Sequence, residues 1–191
     1  MADVQLGVAG ISFGVSREVL MSLVGRFSRK TLYGGPCMLI ERHTGLALDS
    51  TTQPGLRTRP VMWTPHGLPW QQWRILRTGR NSFRIASNMN GMVLTTDSSA
   101  GDGSWVWLEW DRANDDQLWT LSPTEDRSAF VIETFRSKHS LDATTSPANP
   151  AENEERDLKD PTSPILWSTN RQGWQQWMVV RLPLTWHSPR A

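Results

Sequence analysis

Three times in this chain a tryptophan-bearing stretch closes on Gln, one further residue and Trp: Gln71-Gln72-Trp73, Gln117-Leu118-Trp119 and Gln175-Gln176-Trp177. A motif that returns in phase constrains the fold more than any single segment does. Each copy is one supersecondary unit that buries its apolar face against its neighbours. The copies extend well beyond the motif. The first runs from CMLIERHTGLALDS (37–50) through RPVMWTPHGLPWQQWRIL (59–76). The second runs from SFRIASNMNGMVLTTDSS (82–99) through SWVWLEWDRANDDQLWTL (104–121), and the third from AFVIETFRSKHSLDATTS (129–146) through SPILWSTNRQGWQQWMVV (163–180). Each has an alternating apolar stretch, a turn, Leu and usually Asp, a variable loop, a Trp-bearing strand, a polar turn and Gln-x-Trp. The repeat also accounts for an odd composition, eleven tryptophans against one tyrosine, because most of the tryptophans fall in the three units.

Helical periodicity is poor across 37–182. Short alternating runs separated by Gly, Asn, Asp, Ser and Pro predict strands and turns. Four short strands per unit give twelve, and three equal units predict a closed barrel with three-fold pseudosymmetry, which leaves no exposed sheet edge. On a strand, residues two apart share a face, so the Gln and Trp of each motif are expected to point inward together, with Trp70 and Gln72 turned the other way. Trp73, Trp119 and Trp177 are then core residues, each burying roughly 150–250 Å². Gln brings donors and an acceptor to turn backbone that burial would otherwise leave unpaired.

With three phased Gln-x-Trp motifs and a Leu-Asp before the central loop, the stretch 37–182 resembles the ricin B-type β-trefoil lectins. The resemblance implies an all-β trefoil spanning about 36–183, between an N-terminal extension (1–35) and a short tail (184–191). It also implies binding of galactose- or GalNAc-type glycans without catalysis. In that family an Asp ends the Leu-Asp element, an aromatic stands on the next strand, and an Asn lies near Gln-x-Trp. This chemistry suits a sugar: an aromatic face packs on the apolar C–H face of the ring while a carboxylate accepts from adjacent hydroxyls.

In the first unit, Asp49 and Trp63 match these positions. Trp70 replaces the Asn, and His66 in the turn is a candidate for the missing polar contact. In the third unit, Asp142 and Trp167 match, Trp174 replaces the Asn, and Asn170 holds the place of His66. Gln71 and Gln175 are secondary candidates, since the family's Gln also reaches the sugar. Trp70 and Trp174 either widen the aromatic wall or pack against loops or the N-terminal segment. In the second unit Thr95 stands where the Asp belongs, Asp97 lies two residues later, and Trp107 or Trp110 is the candidate aromatic, so a degenerate or absent site is expected there. The long acidic loop after Asp142 (ATTSPANPAENEERDLKDPTSP) covers the pocket, extends it, binds a separate partner, or is simply solvated.

Outside the repeats, Ser16 is a plausible N-cap for an amphipathic helix carrying Val15, Val19, Leu20, Leu23, Val24 and Phe27 on one face, with Arg26, Arg29 and Lys30 near its end. Such a helix would cover one end of the trefoil or mediate a homodimer, and a weak membrane-surface role is a third option. Formal net charge is +1, which makes no electrostatic case for nucleic acid as the main partner. The single cysteine, Cys37, has no internal disulfide partner and is read as a core residue. His43, His66, His139 and His187 show no metal-type spacing. Neither a phosphate loop nor a nucleophile elbow is present, so neither cofactor nor catalysis is expected. The N-terminus carries Asp3 rather than a basic lead before its apolar part, and no apolar run approaches the ~20 residues of a span, so a cytoplasmic location is expected, with unconventional secretion left open. The alternative to a lectin is a protein-interaction trefoil, such as a protease inhibitor or a docking module, since one fold serves many functions.

Overall fold

The computed structural model describes residues 4–8, 11–15, 35–51, 56–143 and 163–182. The first ten of these form an antiparallel hairpin of β1 (Val4–Val8) and β2 (Ile11–Val15), with Val4 opposite Val15 and Val8 opposite Ile11. Val15 thus ends a strand rather than opening a helix. The predicted helix from Ser16, the acidic loop beyond Ala143 and the tail 184–191 lie outside the described residues.

Twelve strands follow, four per unit. The first unit supplies β3 (Cys37–Glu41), β4 (Ala47–Asp49), β5 (Val61–Trp63) and β6 (Trp73–Arg77). The second supplies β7 (Phe83–Ser87), β8 (Val93–Thr95), β9 (Trp107–Glu109) and β10 (Trp119–Pro123). The third supplies β11 (Phe130–Thr134), β12 (His139–Asp142), β13 (Ile165–Ser168) and β14 (Gln176–Arg181). The first and fourth strands of the units close a six-stranded ring, β3-β6-β7-β10-β11-β14 and back to β3. The middle strands pair as hairpins, β4 with β5, β8 with β9 and β12 with β13. The closed all-β barrel with three-fold pseudosymmetry expected from the repeats, in the trefoil form that the resemblance implies, is therefore the fold.

The Trp of each motif makes the closure. Trp73, Trp119 and Trp177 sit opposite the first residue of their own unit's first strand: Cys37↔Trp73, Phe83↔Trp119 and Phe130↔Trp177. All three are 0% exposed. Each indole Nε1–H donates to the carbonyl of the Leu that precedes the candidate site position: Trp73 to Leu48 at 2.8 Å, Trp119 to Leu94 at 3.0 Å, Trp177 to Leu141 at 2.9 Å. Equivalent positions of the three units meet in one buried cluster: Leu39, Ile85 and Ile132; Leu48, Leu94 and Leu141; and Met62, Leu108 and Leu166.

Neighbouring units also interlock through their loops. The first unit's loop bonds to β9 of the second, Arg57 N–H to the Leu108 carbonyl at 2.8 Å and Leu108 N–H to the Thr58 carbonyl at 2.9 Å. The second unit's loop does the same to β13, Gly103 N–H to Leu166 and Leu166 N–H to Ser104, both 2.8 Å. Asp102 joins this second junction by accepting from the Ser168 hydroxyl at 2.9 Å.

Cys37 belongs to the core. Its Sγ–H donates to the Trp73 carbonyl at 3.3 Å, and burial pushes its thiol up to about 12, with the Arg181 charge pulling the other way. Because the thiolate is the reactive form, native Cys37 is expected to be inert to a thiol-specific disulfide reagent at pH 8 and to react fully in denaturant. A native reaction at the denatured rate would contradict its placement. The indole bonds are testable separately from packing. Trp119→Phe strands the Leu94 carbonyl and is expected to cost about 1–3 kcal/mol. Trp119→Ala adds a cavity and is expected to cost about 3–5 kcal/mol. Urea unfolding measures both, and a Trp119→Phe midpoint equal to the parent's would deny the bond its role.

Candidate functional site

The motif glutamines are not on the strands with their tryptophans. Gln71, Gln117 and Gln175 end three short 3-10 turns, Pro69–Gln71, Asp115–Gln117 and Gly173–Gln175. All three are nonetheless 0% exposed, because the amide is drawn under the preceding loop. The Gln71 carbonyl accepts from the backbone N–H of His66 (2.8 Å) and Gly67 (3.2 Å), and its amide donates to the Thr64 carbonyl at 3.0 Å. Gln117 repeats this with Arg112 N–H and the Trp110 carbonyl. Gln175 does so with the N–H groups of Asn170 and Arg171 and the Ser168 carbonyl. The strict alternation expected of Gln72 fails for the same reason. It is buried, donating to the Gly67 carbonyl at 2.8 Å and accepting from Asn88 at 3.0 Å.

Each pinned turn stands over the end of a hairpin, and the hairpin registers define equivalent positions. Asp49 pairs with Val61 and Ala47 with Trp63. Asp142 pairs with Ile165 and Ser140 with Trp167. In both units the Asp and the Trp therefore share one hairpin face, offset by a single same-face step, while Leu48/Met62 and Leu141/Leu166 face the core. Both carboxylates are nearly buried; Trp63 is 42% exposed and Trp167 is half-buried.

The second unit differs from the sequence alignment. Thr95 pairs with Trp107, so Trp107 occupies the place of Val61 and Ile165, and the place of Trp63 and Trp167 falls to Glu109. Neither Trp107 nor Trp110 is the matching aromatic. One signal was available: Trp63, Glu109 and Trp167 each stand eight residues before the motif Gln. Thr95 is buried and spends its hydroxyl on the Val93 carbonyl (3.0 Å) and the Gln117 amide (3.2 Å). Asp116 takes the place of Trp70 and Trp174.

In the first unit, Asp49 accepts at Oδ1 from Thr51 N–H (2.7 Å), and its Oδ2 lies 3.3 Å from His66 Nε2. The Trp70 indole N–H approaches the same Nε2 at 3.1 Å, and Leu68 N–H approaches Nδ1 at 3.1 Å. One neutral imidazole does not satisfy all three. With the proton on Nε2 it donates to Asp49 and accepts from Leu68; with the proton on Nδ1 it accepts from Trp70 instead. Trp70 is thus His66's partner, its ring edge-on at 5.6 Å between centroids.

In the third unit the arrangement is simpler. Gln175 donates to Asp142 Oδ2 at 3.0 Å and so holds the carboxylate in place. Asn170 is exposed, but its Oδ1 accepts from Gln172 N–H at 2.9 Å within the turn. Trp174 packs across the unit boundary, edge-on to His43 with centroids 6.0 Å apart. Among the described residues no group of three or more His, Cys, Asp or Glu is placed to hold a metal ion, and no helix is long and apolar enough to cross a membrane.

The family model for ricin-type β-trefoil lectin domain-like proteins matches residues 26–108 and 69–156. The chain belongs to this family. A search of curated proteins finds no match. Among solved structures, the designed three-fold symmetric protein ThreeFoil superposes with a TM-score of 0.66 at 24% identity, over 78% of this chain and 100% of that one. The ricin B-like lectin of Macrolepiota procera, solved with lactose, gives a TM-score of 0.62 at 20% identity, over 78% of this chain and 97% of that one. An exo-β-1,3-galactanase from Clostridium thermocellum gives a TM-score of 0.64 at 20% identity, over 78% of this chain but 30% of the enzyme's. At these identities the likeness concerns the trefoil itself.

The turn pins give a prediction about site order. Gln175→Leu removes the donor to Asp142 and leaves the Asn170 and Arg171 N–H groups without their acceptor. It is expected to destabilise by about 1–3 kcal/mol in urea unfolding. An unfolding midpoint equal to the parent's would show that the pin is dispensable.

Proposed function

We propose that the protein is a non-enzymatic lectin binding galactose-type glycans at the hairpin ends of its first and third units. The observation that carries this reading is the repeated placement of Asp49 with Trp63 and of Asp142 with Trp167 on equivalent hairpin faces. Each pair offers a nearly buried carboxylate beside a half-open indole. The carboxylate accepts from two neighbouring ring hydroxyls, and the indole covers the C–H face of the sugar. The family membership and the lactose complex of the Macrolepiota procera lectin support the same substrate class.

In the first pocket a hydroxyl donating to Asp49 Oδ2 competes with His66 Nε2. The displaced imidazole then moves its proton to Nδ1 and accepts the Trp70 indole N–H. His66 and Trp70 act together as the polar wall of this pocket. In the third pocket Gln175 orients Asp142 from behind, and Trp174 buttresses the turn through His43. Gln71 and Gln175 serve as positioning residues, their amides occupied by the turn backbone. Two pockets on one chain strengthen attachment to clustered glycans through effective concentration.

Tryptophan-fluorescence titration with lactose, and retention on a galactosylated surface, test the reading. Asp49→Ala and Asp142→Ala are each expected to abolish one site. The double variant is expected to bind at least about tenfold more weakly when measured well below its own unfolding midpoint, as for loss of a charged hydrogen-bond partner. Unchanged retention of the double variant would overturn it.

A further inference from the structure

The second unit reverses the chemistry of the other two. Where they offer carboxylate acceptors, it offers donors. Thr95 has replaced the Asp, and Glu109, at the position of Trp63 and Trp167, is itself neutralised. Glu109 is 5% exposed; Arg57 Nε lies 3.4 Å from one of its oxygens and Arg112 bonds the other. Both guanidinium groups remain open to solvent, with side chains 67% and 55% exposed. Arg57 also lies over the Trp107 ring, 5.1 Å from its centroid, and exposed Arg59 lies over Trp105 at 4.0 Å. Two arginines therefore share one buried carboxylate, and a third, Arg59, lies over the neighbouring Trp105. The acidic neighbours Asp111 and Asp115 are drawn to Arg84 (2.9 Å) and Arg136 (3.0 Å). Asp116 sits in the 3-10 turn rather than on β9.

The loop pairing described above assembles this surface. Thr58 is bonded to Leu108 in β9, and the residues flanking Thr58 carry the two arginines that reach Trp107 and Trp105. Stacking on an indole restrains a guanidinium that would otherwise be free, and the restrained fork matches a carboxylate or sulfate group. Trp105, 43% exposed, adds an aromatic face beside it.

We propose that this surface, formed by Arg57, Arg59, Arg112, Trp105 and Trp107, is an additional site that binds a sugar bearing a carboxylate or sulfate group. The anionic group lies on the guanidinium forks and the ring against Trp105. Three guanidinium groups on one hairpin edge suit a single anionic substituent, whereas a nucleic-acid strand calls for a longer basic track. The site is independent of the galactose-type pockets, since it uses none of Asp49, Trp63, Asp142 or Trp167.

Calorimetry on the Asp49→Ala/Asp142→Ala double variant separates the two readings. The probes are 3′-sialyllactose and galactose 6-sulfate, with lactose and galactose as neutral counterparts and a single-stranded oligonucleotide as competitor. The double variant is expected to bind the anionic probes at least about tenfold more tightly than the neutral ones, with affinity falling as salt screens the contact. Arg59→Ala on that background is the informative change, because Arg57 and Arg112 also neutralise Glu109 whereas Arg59 lies over Trp105. It is expected to lower anionic-probe affinity about tenfold with an unchanged thermal midpoint, as for loss of a charge-assisted contact. Arg59→Lys is expected to restore only part of it. Equal affinity for neutral and anionic probes, indifference to Arg59→Ala, or tighter binding of the oligonucleotide would each overturn the proposal.

Discussion

The bond from a buried indole N–H to a leucine carbonyl, made three times, is the constraint on which the rest depends. An indole with no exposed surface needs an acceptor, since burying its N–H unpaired is costly. Leu48, Leu94 and Leu141 supply it. The bond ties the start of each unit's fourth strand to its second strand at a buried leucine. One residue further along stands the position that carries Asp49, Thr95 or Asp142. The contact that closes the fold thus also fixes the base of each candidate pocket.

A second repeated device places the roof. Each motif Gln accepts from backbone N–H groups four or five residues earlier and donates to a carbonyl seven residues earlier, which shapes the turn over the hairpin end. These bonds involve backbone on the far side, so the side chains of the turn are free to vary. His66, Arg112 and Asn170 occupy one equivalent place, and Trp70, Asp116 and Trp174 another. The frame is conserved within the chain while the chemistry on it diverges. Two units present carboxylate acceptors beside an indole, and one presents guanidinium donors over indoles. Near neutrality of the whole chain conceals this local contrast, because Glu109, Asp111 and Asp115 offset arginines pair by pair.

Much of this was legible in the residues. The three-fold barrel and the inward tryptophans follow from phase and from period-two alternation, while Asp49 with Trp63 and Asp142 with Trp167 stand out through the resemblance to ricin B-type lectins. The differences between expectation and structure have separate physical origins. Strand alternation does not hold through Pro69–Gln71, where a 3-10 turn replaces the strand, and Gln72 is buried as a result. In the second unit the conspicuous Trp107 and Trp110 mask the equivalent position, which distance from Gln117 assigns to Glu109. The placement of Arg57 and Arg59 is not legible in the residues, since a loop signals nothing of the strand it will lie beside in the next unit.

By itself, the sequence determined that three like units fold together around Trp73, Trp119 and Trp177. That information is periodic and local: spacing sets which side chains share a face, and a large apolar side chain is stabilised wherever it is buried. Only the tertiary structure decided what each site presents to a ligand. His66 meets Asp49 and Trp70 across a turn, Trp174 meets His43 across a unit boundary, and Arg59 meets Trp105 across a loop-to-strand junction. Those contacts depend on closing the barrel, which joins residues far apart in the chain and leaves no mark on the spacing of either partner.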